Sequence, residues 1–221
     1  MENFSCENLS FYYGKKMILN NISFEIKKGD VVALVGYNGV GKTTLLKILA
    51  KLTKENIFNR DYTVSFLIEK PAFYPYLTGY QNLAYFSKLP GKSLLSLEEA
   101  LAMVGLTKDK NIKYQKYSLG MKERLGIAKC LLKSSDIYLF DEPLNGLDAK
   151  KISEFRHIIK FLKSLGKTIV ISSHILHELD MYCNKLLILN NEGKILEFDL
   201  YANKGPYLGK IENVFLKGQH D

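Results

Sequence analysis

The sequence has 221 residues, of which 47% are hydrophobic and 24% charged, and this ordinary globular composition excludes a low-complexity or collagen-like chain. The 31 basic and 23 acidic residues leave a net charge of +8, but the lysines are scattered, so we interpret them as a solvated surface and expect no nucleic-acid partner. No apolar run approaches the roughly 18 residues that cross a bilayer, and the first residues lack the basic and then apolar start of a secretory signal. We therefore expect a cytoplasmic protein.

The first third of the sequence predicts strands on either side of a glycine-rich turn. A short aromatic strand is expected at 9–13, and apolar residues alternate with polar ones at 22–26, as in a half-exposed strand. The continuous apolar run at 31–35 is typical of a strand that is buried on both faces. After the turn, the pattern predicts a helix at 43–52 and another strand at 64–67.

The middle third changes to helical signals. Two capping-box patterns, which begin at Thr78 and Ser96, each open a helical stretch. Gly105 predicts the end of the second helix, and a third helix follows Ser118. We therefore expect a helical subdomain at about 75–133, inserted into the rest of the domain.

The last third returns to strands that alternate with helices. The pattern predicts a strand at 137–140, a helix at 150–165, a strand at 168–171, a helix at 174–182 and a hairpin of 186–189 with 195–198. This alternation predicts an α/β fold with a mainly parallel sheet. We also expect antiparallel strands on the N-terminal side. We expect one domain, with its core formed by 1–74 and 134–221.

One strong motif lies between the buried strand at 31–35 and the helix that follows. The pattern G-x-x-x-x-G-K-[ST] is filled by Gly36, Tyr37, Asn38, Gly39, Val40, Gly41, Lys42 and Thr43, and Thr44 comes next. In such a phosphate loop the backbone N–H groups turn toward phosphates, the lysine reaches the β- and γ-phosphates, and the Thr43 hydroxyl binds Mg²⁺. The motif and its context predict a protein that binds a nucleoside triphosphate.

Two carboxylates, Asp141 and Glu142, follow directly after the strand at 137–140. An acid at the carboxyl end of a strand beside a phosphate loop is suited to bind Mg²⁺, and this is the role we expect for Asp141. Glu142 would then face the γ-phosphate and orient or deprotonate the attacking water. An acidic residue at a strand end is common by itself, and it is the phosphate loop that makes this interpretation specific.

The order of these motifs and three further segments resembles that of the ATP-binding cassette (ABC) ATPases over almost the whole chain. The further segments are Tyr117-Ser118-Leu119-Gly120-Met121-Lys122 before the acidic strand, Leu144-Asn145-Gly146-Leu147-Asp148 after it, and His174 after the next strand. The resemblance implies that Ser118 and Gly120 belong to the signature motif and Asp148 to the D-loop. It also implies that His174 is the switch histidine, a catalytic residue. By the same resemblance Tyr13 stacks on adenine, with Tyr12 as the alternative.

The chain departs from the commonest family pattern in two places. The usual signature is L-S-G-G-Q, and here Tyr117, Leu119 and Met121 replace its first, third and fifth letters. The loop after the strand at 64–67 usually carries a glutamine, and alignment on Pro71 puts Glu69 in its place. A carboxylate binds Mg²⁺ at least as well as an amide oxygen does. Together these features resemble the branch that exports bacitracin and lantibiotics.

The resemblance implies an ATP-hydrolysing subunit of a membrane transporter, with ATP and Mg²⁺ as its ligands. Two cassettes then pack head to tail around ATP, so that Ser118, Gly120 and Asp148 act on the nucleotide of the partner. Both halves of the composite site are intact, which favours a homodimer. We expect a separate permease that holds the chain at the inner face of the membrane, and export of a peptide antibiotic or other drug in an immunity or resistance role.

Other classes of protein fit the sequence less well. A non-transport ABC ATPase acting on ribosomes or DNA is the alternative within the family, and the basic charge gives it some support. The ribosome-type members, however, resemble two fused cassettes, and the short stretch from Thr43 to Ser118 leaves no room for the long coiled coil of the DNA-repair members. A GTPase needs an N-K-x-D guanine reader, and Asn184-Lys185 lacks the following Asp.

Overall fold

The computed structural model describes residues 3–55, 58, 61–69, 72–145, 149–174 and 183–200. The chain forms two compact units, of which the first comprises Met1–Asp61 with Val170–Asp221 and the second comprises Tyr62–Ile169. The predicted helix at 174–182 lies outside the described residues except for His174, and so does residue 148 of the predicted D-loop. The position of the predicted helical subdomain boundary at about 75–133 stays a prediction.

The first unit contains an antiparallel hairpin. Strand β1 (Phe4–Tyr13) pairs with β2 (Lys16–Ile26) from Phe4 opposite Ile26 to Tyr13 opposite Lys16. Both strands are longer than the sequence pattern predicted, because irregular positions in the ladder interrupt the alternation of apolar and polar residues. At Asn8 and Asn21 the backbone is left-handed, and each of their N–H groups donates to a serine hydroxyl of the other strand.

The remaining strands of the first unit form a sheet in the order β6-β3-β7-β8. Strand β3 (Val31–Val35) is wholly buried and pairs in parallel with β7 (Lys185–Leu189), and β7 pairs with β8 (Ile195–Asp199) in an antiparallel hairpin. Strand β6 (Thr168–Ser173) begins in the second unit and ends in the first. The prediction of a C-terminal hairpin and of a buried strand at 31–35 is confirmed.

The hairpin of β7 and β8 begins one residue earlier than predicted, at the charged residue Lys185. Lys185 is only 5% exposed, although lysine is costly to bury without a partner. Its ammonium lies 2.6 Å from a carboxylate oxygen of Glu197 on β8 and also donates to the Glu25 carbonyl of β2. These partners compensate the buried charge, so the ladder includes Lys185 opposite Asp199.

The second unit combines two parallel strands with four of the five helices in the part of the chain that the structure describes. The strands are β4 (Val64–Leu67) and β5 (Ile137–Phe140), at the predicted bounds. The helices are α2 (Gly79–Ser87), α3 (Leu97–Met103), α4 (Leu119–Leu131) and α5 (Ala149–Ser164), with a short 3₁₀ helix at Tyr114–Lys116. The first unit holds helix α1 (Lys42–Leu49). The α/β fold is therefore confirmed.

Helix α1 ends three residues before the predicted position, at Leu49 rather than at Leu52. The reason is a Schellman motif, in which Leu52 N–H donates to the Lys47 carbonyl at 2.9 Å and Lys51 N–H donates to the Ile48 carbonyl at 3.0 Å. Lys51 is left-handed, with φ of 58°, at the position where glycine is usual. Helix α1 therefore ends without a glycine, so a sequence search for a terminating glycine does not find this end.

Helix α3 has the two sequence signals that were predicted for it. At its start the Ser96 hydroxyl accepts from Glu99 N–H at 3.2 Å, and the Glu99 carboxylate accepts from Ser96 N–H at 2.8 Å, which closes the capping box. At its end Gly105 is left-handed, with φ of 66°, and Leu106 N–H donates to the Leu101 carbonyl at 2.8 Å. Helix α2 begins with the same kind of box at Thr78.

We predict that Ser96→Ala lowers the free energy of unfolding by about 1 kcal/mol at pH 7, because the first turn of α3 loses its cap. The N–H and hydroxyl of Ser96 both donate to the Glu99 carboxylate and lower its pKa. A carboxyl group whose pKa is lower in the folded state stabilises the fold at any pH above its unfolded pKa. This stabilisation is lost as the pH falls through the folded pKa. Urea unfolding at pH 7 and pH 3 should show the difference between parent and variant shrinking in acid.

The matched control for this prediction is Ser93→Ala, because the Ser93 hydroxyl makes only a 3.5 Å contact with the Leu95 carbonyl. It should leave the unfolding free energy within about 0.5 kcal/mol of the parent, as is usual for exposed substitutions. A loss equal to that of Ser96→Ala would contradict the capping account.

Candidate functional site

The glycine-rich loop of the first unit joins the end of β3 to the start of α1, as the sequence predicted. Lys42 is the first residue of the helix and only 6% exposed. Its ammonium donates to the Gly36 carbonyl at 2.7 Å and to the Tyr37 carbonyl at 3.2 Å. The N-cap residue is Gly41, which has no side chain to cap the N–H groups of the first turn, and that turn holds no acidic residue. Such a helix start attracts an anion.

Two glycines of this loop are required by close contacts. A Cβ atom on Gly36 would lie 2.6 Å from the Leu189 carbonyl oxygen of β7, which is closer than real Cβ atoms come to backbone. Gly41 has a φ of 119°, which side-chain-bearing residues rarely adopt, and a Cβ there would lie 2.9 Å from Ile18. The loop is thus held tightly against β7 and β2 within the first unit. These contacts shape the cradle that the motif predicts for phosphates.

The predicted adenine-stacking residue lies beside the turn that joins β1 to β2, where Tyr13 pairs with Lys16. Tyr13 is the last residue of β1 and is 52% exposed, with its ring edge-on to Phe11 at a centroid distance of 5.0 Å. Tyr12 is 53% exposed. Both rings are therefore accessible for stacking, and the choice between them stays a prediction.

The acidic residues of the second unit lie at the carboxyl ends of its two parallel strands. Leu67 pairs with Phe140, and Asp141 N–H donates to the Leu67 carbonyl at 2.9 Å, so the ladder continues one step beyond β5. Glu69 and Glu142 each lie two residues beyond that strand pair. Parallel pairing brings the ends of β4 and β5 to the same edge, and Glu69 therefore meets Asp141 and Glu142, which lie about 70 residues later in the sequence.

The backbone is left-handed at both glutamates of this edge, with φ of 60° at Glu69 and 47° at Glu142. Only a few per cent of non-glycine residues have positive φ, and those that do are concentrated at functional sites. At Glu142 the turn is closed by Asn145 N–H, which donates to the Glu142 carbonyl at 3.2 Å. The strain therefore lies at two of the residues that the sequence analysis selected.

A cavity of about 640 Å³ opens at this edge. Its lining residues are Leu67, Glu69, Tyr114, Leu119, Lys122, Glu123, Asp141, Glu142, Pro143 and Asn145. Among the described residues no group of three His, Cys, Asp or Glu side chains is arranged to hold a metal ion. The carboxylate oxygens present suit Mg²⁺, which keeps several waters and is usually held by one or two carboxylates with phosphate oxygens. The residues therefore fit a magnesium ion that arrives with a nucleotide.

The cavity also contains two side chains that the sequence analysis did not select, Lys122 and Glu123 of helix α4. The Lys122 ammonium lies 5.3 Å from the centre of the Tyr114 ring, within the range of a cation–π contact. Burial raises the pKa of Glu123, and the nearby Lys151 charge partly offsets this rise. Both residues lie just after the predicted signature serine, so the motif placed them close to the site without assigning them a function.

The signature segment starts helix α4 in the second unit. The Ser118 hydroxyl accepts from Met121 N–H at 3.3 Å and so caps the helix, as the sequence predicted. Arg124 holds the same turn from another side, since its guanidinium donates to the Gly120 carbonyl at 3.4 Å and to the Val104 carbonyl at the end of α3 at 3.1 Å. At Gly120 a Cβ would meet only the Lys151 ammonium, at 3.8 Å.

His174 and Asp148 are the remaining predicted site residues. His174 follows directly after β6 and is exposed, as expected for a residue at a strand end. Asp148 lies outside the described residues. Within the described part of the chain, no helix is both long enough and apolar enough to span a membrane.

Comparison with known protein families gives one match that covers more than half of the chain. The family described as "ABC transporter" matches residues 19–145, which include the glycine-rich loop, the signature segment and the acidic strand end. Two similar proteins have transport functions in their names. The bacitracin transport ATP-binding protein BcrA of Enterococcus faecalis is 40% identical over 86% of this chain and 67% of its own length. The lantibiotic transport ATP-binding protein SrtF of Streptococcus pyogenes is 40% identical over 86% of this chain and 87% of its own length.

Two solved structures have a similar fold. An ATP-binding subunit of an ABC transporter superposes with a TM-score of 0.81 over 97% of this chain and 100% of that one, and its 24% identity makes it evidence for the fold alone. The ATP-binding cassette MJ0796 superposes with a TM-score of 0.74 at 26% identity, over 89% of this chain and 98% of that one. That structure is a dimer in a post-hydrolysis state, bound to ADP and phosphate.

We predict that Gly36→Ala destabilises the folded protein by about 1–3 kcal/mol and weakens nucleotide binding, because the new Cβ pushes the loop away from the Leu189 carbonyl. The control is Gly166→Ala, where φ is +68° and a Cβ meets no atom within 4 Å. It should cost about 1 kcal/mol through its backbone conformation alone and leave binding unchanged. Thermal unfolding and titration with a fluorescent ATP analogue measure both effects, and unchanged binding in Gly36→Ala would contradict the contact.

Proposed function

Because this chain belongs to the ABC transporter family and is an ATP-hydrolysing subunit of it, we propose that it energises the export of a peptide antibiotic through a separate membrane permease. The support for this substrate class is the 40% identity to a bacitracin transport protein and to a lantibiotic transport protein, the second matched over 87% of its length. The cellular role that follows is immunity or resistance. The chain would act on the cytoplasmic side, held at the membrane by its permease.

We propose that ATP binds at the glycine-rich loop, with Tyr13 against the adenine. The residues from Gly36 to Thr44 supply the phosphate cradle, in which the N–H groups at the start of α1 and the Lys42 ammonium face the phosphates. In the structure Lys42 donates to loop carbonyls, and a phosphate would take over part of this donation. The uncapped helix start and the tight glycine contacts support the proposal.

We propose that Glu142 is the general base for ATP hydrolysis. Its carboxylate takes a proton from water as the water oxygen bonds to the γ-phosphorus and the bond to the leaving ADP oxygen breaks. The observation that carries this assignment is the meeting of Glu69, Asp141 and Glu142 at one cavity edge, with a left-handed backbone at both glutamates. His174 is proposed as the switch residue of the same reaction.

The proposed metal ligands are Thr43, Glu69 and Asp141. A bound magnesium ion supplies positive charge that offsets the charge of the phosphates. The protein's part is to present oxygen atoms of two carboxylates and a hydroxyl, which match the preference of this ion. Glu69 adds one negative charge where the family usually has a neutral amide, so its exchange for glutamine should alter coupling more than nucleotide binding.

We further propose that two copies of the chain pair head to tail and enclose ATP. Ser118, Gly120 and Asp148 of one copy then contact the nucleotide bound by the other. Ser118 is exposed at the positive end of α4, with its hydroxyl at the surface, and this position supports a contact with an anion on a second molecule. The dimeric state of the ATP-binding cassette MJ0796 agrees with this arrangement.

The export function predicts that source cells without this chain are more susceptible to bacitracin or to a lantibiotic. A plasmid copy of the parent chain should restore resistance, and a Lys42→Ala copy should not, because the loop loses its phosphate-binding ammonium. Minimum inhibitory concentrations measure the effect. A Lys163→Ala copy is the control, since Lys163 lies at the end of α5, away from the loop in sequence. Equal susceptibility with and without the chain would contradict the export function.

The general-base assignment predicts that Glu142→Gln retains ATP binding and loses hydrolysis by about 10²–10⁴-fold. With the reaction blocked, Mg²⁺-ATP should convert the variant from monomer to dimer, as measured by light scattering on a sizing column. A variant that hydrolyses ATP at the parent rate would refute the base. A variant that binds ATP and stays monomeric would refute the homodimer.

A further inference from the structure

Tyr117, the residue before the signature serine, is 4% exposed, directly precedes the N-cap of α4 and packs against Gly79 at the start of α2. We propose that Tyr117 is a positioning residue for the proposed ATP-bound dimer. It fixes the direction in which helix α4 presents the Ser118 hydroxyl and its first N–H groups to the partner's nucleotide. This inference rests on the proposed function, because it concerns the proposed action of Ser118 across the dimer.

Three contacts fix the Tyr117 side chain and backbone. Its hydroxyl donates to the Asp109 carbonyl at 2.9 Å, and its N–H donates to the Tyr114 carbonyl at 3.0 Å. Its ring lies 6.0 Å from the Tyr114 ring, centroid to centroid. Burial is the main cause that raises the pKa of the Tyr117 hydroxyl, which therefore stays a neutral donor.

The Tyr117 side chain fits against the start of α2 only because residue 79 is a glycine. A Cβ on Gly79, the first residue of α2, would lie 2.1 Å from the Tyr117 hydroxyl oxygen and 2.9 Å from the ring carbon that carries it. Gly79 has ordinary helical backbone, since it is not among the glycines with positive φ. Space for Tyr117, rather than conformation, is thus the structural reason for glycine at this position.

The surface against which Tyr117 packs is itself fixed by hydrogen bonds. Gly79 N–H donates to the Ile112 carbonyl at 3.2 Å, and Tyr114 N–H donates to the Leu77 carbonyl at 2.8 Å. Asn82 is fully buried, and its side chain accepts from Tyr74 N–H and donates to the carbonyls of Tyr74 and Thr78. Buried polar groups with all these bonds resist displacement, so they form a rigid support.

Ser118 itself has weaker constraints. Its hydroxyl accepts from Met121 N–H at 3.3 Å, and its side chain is exposed. Arg124 fixes the carbonyl side of the turn through Gly120. The direction of the N–H groups at the helix start therefore depends on the residue that enters the cap, which is Tyr117. A helix start that points away by a small angle loses charge-assisted hydrogen bonds to a phosphate, because these bonds are directional.

The test uses the full chain in the Glu142→Gln background and measures two quantities. One is the affinity of the monomer for a fluorescent ATP analogue, and the other is the ATP concentration at half-maximal dimerisation by light scattering. We expect Tyr117→Phe to raise the ATP concentration for half-maximal dimerisation by about five- to tenfold, because one hydrogen bond is lost. The affinity of the monomer for the ATP analogue should stay within about twofold of the parent. Retained monomer affinity also shows that the variant is folded.

The matched control is Tyr138→Phe. The Tyr138 hydroxyl is also buried in the second unit and donates to a backbone carbonyl, that of Lys133 at 2.8 Å. The control should lower the melting temperature but leave the ATP concentration for dimerisation unchanged. An equal rise in both variants would mean that Tyr117 has only a structural function, and the inference would be overturned.

Gly79→Ala supplies a second test, because the new Cβ must displace the Tyr117 hydroxyl. It should raise the ATP requirement for dimerisation as Tyr117→Phe does, and its effect should be smaller in the Tyr117→Phe background, where the nearest atom is absent. Strictly additive effects would overturn the contact. Ser118→Ala separates the two proposals: if dimerisation is unchanged, the action of Ser118 across the dimer fails, and with it this inference. If Ser118→Ala weakens dimerisation and Tyr117→Phe does not, only the inference fails.

Discussion

The parallel pairing of β4 with β5 is the constraint on which the acidic site depends. Leu67 opposite Phe140, extended by the bond from Asp141 N–H to the Leu67 carbonyl, fixes which residues leave the two strands side by side. A shift of one residue in this register would move Glu69 along the edge relative to Asp141 and Glu142, and the carboxylates would no longer leave the two strands at the same level. The cavity edge with Glu69, Asp141 and Glu142 therefore follows from backbone pairing between segments about 70 residues apart.

The backbone strain at this edge is concentrated where chemistry is proposed. Glu69 and Glu142 both have left-handed conformations, which cost of order 1–3 kcal/mol each for residues with a side chain. The wholly buried strand β5, paired with β4, supplies a support that can hold such turns. Replacement of either glutamate by glycine would relieve the strain and remove the carboxylate. The left-handed conformation together with a carboxylate fits the site that we propose for a metal-bound phosphate.

Helices α2 and α3 of the second unit support the start of helix α4. Helix α4 is held at its first turn by Arg124, which binds the end of α3, and at its entry by Tyr117, which packs on the start of α2. A helix start that must face a ligand on another molecule cannot be fixed by that ligand before it binds. Rigid contacts on the protein side reduce the ordering cost at binding, and this preorganisation is the physical reason to place a buried aromatic ring there.

Much of this protein was determined by sequence alone. The apolar runs of β3, β4 and β5, the capping boxes at Thr78 and Ser96 and the phosphate-loop pattern are local signals, because each depends on neighbours within a few residues. Contacts between distant segments were decided only by the tertiary structure. The left-handed helix end at Lys51, the burial of Lys185 against Glu197 and the space that Gly79 leaves for Tyr117 carry no local signal, because in each case backbone conformation or packing overrides the ordinary preference of the residue.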